Sequence, residues 1–127
     1  VILGLGLDLV AVARVARILG GPPSRAERFL VRVFTAAERA YCDAVVDRPT
    51  RYAARFAAKE ATMKALGAPA GLRFLDLEVA REDGPPRLVL RGRAAEVARA
   101  LGVTKLHLSI THDGGTAAAV VVAEGES

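Results

Sequence analysis

Apolar residues recur along this 127-residue chain at two periods, two in some stretches and 3.6 in others, and together they predict an α+β order of elements. Leu3, Leu5, Leu7 and Leu9 alternate with Gly4, Gly6 and Asp8. That predicts a strand over 2–9 with leucines on one face and glycines and an aspartate on the other. Val12, Val15, Ile18 and Leu19 mark a helix over 12–19, which the run Gly20-Gly21-Pro22-Pro23 breaks before a second helix over 25–33. A third helix begins near Ala36, and Pro49 is expected to end it. A long helix follows and stops at Gly67. Strands over 75–81 and 87–90 then flank the turn Asp83-Gly84-Pro85-Pro86, and a helix spans about 93–101. Strands at 105–111 and 117–123, joined through Asp113-Gly114-Gly115, complete an antiparallel set. The expected fold is an antiparallel sheet packed with a long central helix, as one domain over 1–127.

The long helix carries charge where a core should be. Tyr52, Phe56 and Met63 fall within roughly 40° of one another and define an apolar stripe on a half-buried helix. Glu60 and Lys64 share one edge of that stripe, Arg55 lies on the opposite edge, and Lys59 sits among the apolar residues. By itself such a Glu/Lys pair is an ordinary solvated one. The first strand adds weight, because two glycines on one face imply that something approaches the backbone closely, with Asp8 as a ligand candidate at the end of the bare track. Near the other end, Lys105, His107, Ser109 and Thr111 alternate with Leu106, Leu108 and Ile110, and His112 follows. An imidazole beside hydroxyls suits a phosphate. A dinucleotide fingerprint is excluded, since Leu9 stands where its third glycine belongs.

Ser24-x-x-Glu27 and Thr35-x-x-Glu38 both read as capping boxes, which gives Glu38 a structural role. Five arginines, Arg14, Arg17, Arg25, Arg28 and Arg32, stand between Val12 and Arg32 against one acid, Glu27. This local excess matters more than the net charge of +4, since it attracts an anionic partner: nucleic acid, a membrane surface or an acidic protein. The scarcity of interleaved aromatics and the lack of an RNA-binding motif speak against nucleic acid. The single cysteine, Cys42, reads as a small buried hydrophobe. With no disulfide pair, no secretory leader and no transmembrane run, the chain reads as cytosolic.

Four ordered motifs resemble one family. Gly4-Leu-Gly-Leu-Asp8, Phe34-Thr-x-x-Glu38-x-x-Tyr41-Cys42, Arg55-Phe-Ala-Ala-Lys-Glu60-Ala-x-x-Lys64-Ala-x-Gly67 and Ser109-Ile-Thr-His112 are similar to the signature of the bacterial holo-acyl-carrier-protein synthases, the short type of 4′-phosphopantetheinyl transferase. The resemblance implies a Mg²⁺-dependent reaction. In it a serine of apo acyl carrier protein attacks the β-phosphate of coenzyme A, receives phosphopantetheine and releases adenosine 3′,5′-bisphosphate, a step of fatty acid biosynthesis. It also implies a homotrimer with coenzyme A bound between subunits, and carrier docking on the first helices through Arg14, Arg25 and Arg28.

Residue chemistry is compatible with that reaction. Mg²⁺ is commonly held by one or two carboxylates plus substrate phosphates, so Asp8 and Glu60 suffice as protein ligands. Lys64, one turn beyond Glu60, reaches a pyrophosphate oxygen from the same helix edge. By the resemblance, Arg55 and His112 serve the 3′-phosphate of coenzyme A, and Ser109 and Thr111 add hydroxyl contacts. Glu60, Asp8 and a metal-bound water all remain open as acceptors of the serine proton. Two other classes stand beside the transferase: a basic nucleotide- or nucleic-acid-binding module, with a steep salt slope and no need for metal, and a metal-dependent hydrolase of pyrophosphate bonds. Neither nucleic acid nor membrane is the expected partner.

Overall fold

A computed structural model describes residues 1–81 and 84–127. Elements run in the order β1 (Ile2–Ala11), α1 (Val12–Leu19), α2 (Pro23–Val33), α3 (Ala36–Ala44), α4 (Arg48–Ala65), β2 (Leu77–Ala80), β3 (Arg87–Leu90), α5 (Gly92–Leu101), β4 (Val103–Asp113) and β5 (Thr116–Gly125). The α+β class holds, but the strands form two sheets. One has the antiparallel order β1-β5-β4, and β2-β3 is a separate antiparallel pair. Asp83, expected in the β2–β3 turn, lies outside the described residues.

Helix α4 crosses the inner face of the three-stranded sheet, and the reason is small residues on both partners. Gly4 and Gly6 of β1 lie against Ala65 and Ala61, where a methyl on either glycine would overlap the facing carbonyl oxygen. The close approach expected from the glycines is therefore the protein's own helix. Ala117, Ala119, Val121 and Ala123 of β5 continue the same buried surface. Every residue of α4 from Tyr52 to Lys59 is buried, so the helix is not half-buried along one stripe, and Met63 is only partly covered. Its alanines let neighbours close in on all sides.

The opposite face of the sheet is bare. Leu5, Leu7 and Leu9 are 64%, 59% and 66% exposed, and Val122 and Val120 stand beside Leu5 and Leu7 in register. Burying such leucines is worth roughly 1.5–3 kcal/mol each, so this row is a large apolar patch left on the surface of the single chain.

Two helix starts differ from expectation. Helix α2 opens at Pro23, whose fixed φ suits a first helical residue, so Ser24 falls inside the first turn and makes no cap. Pro49 starts α4 rather than ending α3, because a proline in a first turn leaves no amide unsatisfied. The box at Thr35 forms as expected. Thr35 Oγ1 accepts from the Glu38 amide at 3.2 Å, and Glu38 Oε1 accepts from the Thr35 amide at 2.8 Å. Glu38 does more than cap. It is fully buried with Lys59, Nζ to Oε1 2.7 Å, and its Oε2 accepts from the Val79 amide at 2.8 Å, while Lys59 donates to the Phe74 carbonyl at 2.9 Å. One ion pair thus ties α3, α4 and β2 together. At its far end α4 closes with Gly67 at φ 83° and the bonds Gly67 N–H to Lys64 O and Ala68 N–H to Met63 O, a Schellman stop.

Candidate active site

Three predicted residues meet where β1 passes the C-terminal half of α4. Strand alternation turns Asp8 to the inner face behind Gly4 and Gly6, and helical spacing puts Glu60 and Lys64 on the edge facing it. Lys64 Nζ donates to the Leu7 carbonyl at 2.8 Å and lies 3.2 Å from Asp8 Oδ1. Partial burial pushes the Glu60 carboxyl above its ordinary range, and the charge of Asp8 pushes it further, while Lys64 and Arg14 pull it back. Two mutually repelling carboxylates are a fit donor set for a hard divalent cation. Among the described residues no cluster of three His, Cys, Asp or Glu could hold a metal, so the protein offers an open pair and not a cage.

Arg14, expected on the partner surface, borders this site. Its Cζ stands 5.8 Å over the Phe56 ring, one turn before Glu60, and it shares a shallow depression of 340 Å³ with Arg17, Ile18 and Arg25. Arg25 and Arg28 are exposed on α2.

A second constellation lies on the other side of α4. A 260 Å³ cavity is lined by Arg51, Arg55, Arg81 and His112, with Pro86, Ile110 and Thr111 completing its wall. The Nε atoms of Arg51 and Arg55 are buried with no hydrogen-bond partner among the described residues. Buried donors left unpaired are costly, and here they border a cavity of anion size. Arg51 and Arg81 were not singled out from sequence. Arg51 could have been found as the i−4 neighbour of Arg55; nothing local marks Arg81, which the end of β2 carries into place. Ser109 sits elsewhere. The β4 alternation turns it, with His107, to the outer sheet face, whereas His112 continues the inward row of Leu108 and Ile110. Thr111 reaches the cavity rim only because it precedes His112.

Cys42 is fully buried and burial pushes its thiol up to about 11, so it carries no thiolate near neutral pH.

The structure thus sets a strand-backed carboxylate pair with a lysine on one side of α4 and an arginine–histidine pocket on the other. The chain belongs to the 4′-phosphopantetheinyl transferase superfamily, whose model matches residues 4–121. Within it the relatives are holo-[acyl-carrier-protein] synthases: that of Anaeromyxobacter dehalogenans (strain 2CP-1) is 68% identical over 124 residues, covering 98% of this chain and 97% of the relative. Among solved structures, the Plasmodium yoelii holo-ACP-synthase superposes with a TM-score of 0.83 at 29% identity, covering 100% of this chain and 98% of the other. The Helicobacter pylori holo-[acyl-carrier-protein] synthase in complex with coenzyme A gives 0.80 at 32% identity, covering 94% and 99%.

Proposed function

We propose that this chain, acting as one domain over 1–127, transfers the 4′-phosphopantetheine group of coenzyme A to a serine of an apo acyl carrier protein, releasing adenosine 3′,5′-bisphosphate. The observation that supports the reading is the arginine–histidine pocket on one side of α4 and the two-carboxylate site on the other. A nucleic-acid module has no use for the carboxylate pair, and a pyrophosphate hydrolase has none for the exposed arginines of α1 and α2.

The residues divide the work. Arg51, Arg55, Arg81 and His112 bind the 3′-phosphate, which distinguishes coenzyme A from nucleotides lacking it. Lys64 neutralises a pyrophosphate oxygen and, as charge moves to the departing phosphate, stabilises it. Asp8 and Glu60 would hold Mg²⁺, which when bound supplies charge withdrawal from the phosphorus and a template for the pyrophosphate. Either carboxylate also stands ready to accept the serine proton. Arg14, Arg25 and Arg28 face an acidic carrier.

The two groups do not meet within one chain. Residues 55 and 60–64 are roughly 140–180° apart around α4, and positions 55 and 64 are ~13 Å apart along it. In coenzyme A the 3′-phosphate and the pyrophosphate hang from one ribose. A single coenzyme therefore takes its arginine pocket from one subunit and its carboxylates from another, and the bare leucine face of β1 is the surface by which copies associate into a homotrimer. Ser109 and Thr111, on or beside that face, then come near the bound coenzyme only through assembly. Among the described residues no helix is long and apolar enough to cross a membrane; the proposed reaction is that of a cytoplasmic enzyme of fatty acid biosynthesis.

The test is to incubate the protein with coenzyme A, Mg²⁺ and an apo acyl carrier protein and to weigh the carrier by mass spectrometry. The carrier should gain one phosphopantetheine, and chelation of the metal should prevent it. Cleavage of coenzyme A with an unmodified carrier would replace the reading with a hydrolase.

A further inference from the structure

The guanidinium of Arg55 lies over the Tyr41 ring, its Cζ 4.1 Å from the centroid. Tyr41 belongs to α3 and Arg55 to α4, so the stack joins two helices beside the arginine pocket. The acids of α3 are all engaged elsewhere. Glu38 is held by Lys59 and by the amides of Thr35 and Val79, and Asp43 by Arg48 at 2.6 Å and the Tyr52 hydroxyl at 2.9 Å. Arg55 is left with an aromatic face on one side, a buried unpaired Nε, and the cavity.

A guanidinium bonds only in its own plane, and a ring against one face fixes that plane. We infer that Tyr41 is a positioning residue: by stacking on Arg55 it aims the arginine fork into the pocket, and so sets how strongly the site prefers a nucleotide bearing a 3′-phosphomonoester. The inference rests on reading this pocket as the 3′-phosphate site. The ring is what matters, so phenylalanine substitutes for tyrosine here and an aliphatic side chain does not. Without the ring Arg55 keeps its charge but loses its orientation, and the loss falls on the 3′-phosphate alone.

The test is calorimetric binding of adenosine 3′,5′-bisphosphate and adenosine 5′-monophosphate to the full-length protein, with the ratio of the two Kd values as the readout. Tyr41→Phe should keep the wild-type ratio. Tyr41→Leu should reduce it about tenfold by weakening the bisphosphate only, and Tyr41→Met, which is gentler on packing, should do the same if the leucine variant does not fold. On an Arg55→Met background, Tyr41→Leu should add nothing, because the ring acts through Arg55. An unchanged ratio in a folded Tyr41→Leu or Tyr41→Met protein, while Arg55→Met destroys the preference, would overturn the positioning role and leave the pocket reading standing. Equal weakening of both nucleotides would overturn it too, marking Tyr41 as packing. If Arg55→Met itself keeps the preference, the pocket reading fails and the inference with it.

Discussion

Lys64 holds Asp8, its ammonium 3.2 Å from Oδ1 while also bound to the Leu7 carbonyl. On the proposed reading, the lysine thus occupies a carboxylate that would hold Mg²⁺. Lys64→Met should bind Mg²⁺ more tightly than wild type in the absence of coenzyme A, by calorimetry, yet turn over about 10²-fold more slowly because the pyrophosphate loses its cation. Weaker Mg²⁺ binding in this variant would refute the competition.

Glu60 gives a pH dependence. Burial and then Asp8 raise its carboxyl above the ordinary value of 4.5. The folded state therefore binds a proton that the unfolded chain has released, and stability falls as pH rises from about 4.5 through the folded value. Without metal, Glu60→Gln should melt above wild type at pH 7, and the difference should vanish below pH 4.5. Scanning calorimetry from pH 4 to 8 would read this. Added Mg²⁺ should stabilise the wild type and leave Glu60→Gln unmoved.

The buried Glu38–Lys59 pair is the mechanical weak point. Lys59→Met strands a carboxylate in the core and should cost about 3–5 kcal/mol in urea unfolding. Adding Glu38→Gln should restore part of that loss by removing the stranded charge, although the amide oxygen can accept from only one of the two backbone N–H groups that Glu38 serves. A double variant no more stable than the single would mean that the pair is not an isolated electrostatic unit.

How much of this was legible beforehand depended on how local the cause was. Helical spacing alone put Glu60 and Lys64 on one edge and Arg55 on the other, and strand alternation put Asp8 on the glycine face. Which face of β1 turns inward was not legible, because leucines outrank glycines in any hydrophobic count. Only pairing with the alanines of α4, distant in sequence, reverses that order. Pro49 and Ser24 misled for a similar reason, since a helix-starting proline overrides the cap or stop that a neighbouring residue signals. Arg81 was silent because its place depends on the β2–β3 unit and not on its own surroundings.

Shared sites should reveal themselves by mixing. Asp8→Ala and His112→Ala proteins should each be inactive alone and regain part of the activity when their subunits are exchanged, because some sites then combine two intact halves. Leu7→Glu should dissociate the assembly in light scattering and abolish activity. An active monomer would end the proposal of sites between subunits.

Charge reversal on α2 should separate docking from chemistry. Arg25→Glu with Arg28→Glu should raise the carrier KM about tenfold or more and leave the coenzyme A KM alone, with the wild-type rate at low carrier falling as salt is added. Arg14→Glu should disturb metal dependence as well, because Arg14 lowers the Glu60 carboxyl. If only the coenzyme KM moved in the α2 variant, these arginines would belong to the nucleotide.

The direction of α4 has an electrical consequence. Its peptide dipoles add to a positive N-terminus and a negative C-terminus. Arg51 lies in the first turn, on the end that attracts anions, and Lys64 in the last, on the end that attracts cations. In a ring of subunits each coenzyme would rest between the positive pole of one helix and the negative pole of its neighbour's. The polarity of a single 18-residue helix would then fix which way round the coenzyme lies, phosphomonoester to one pole and metal-bound pyrophosphate to the other.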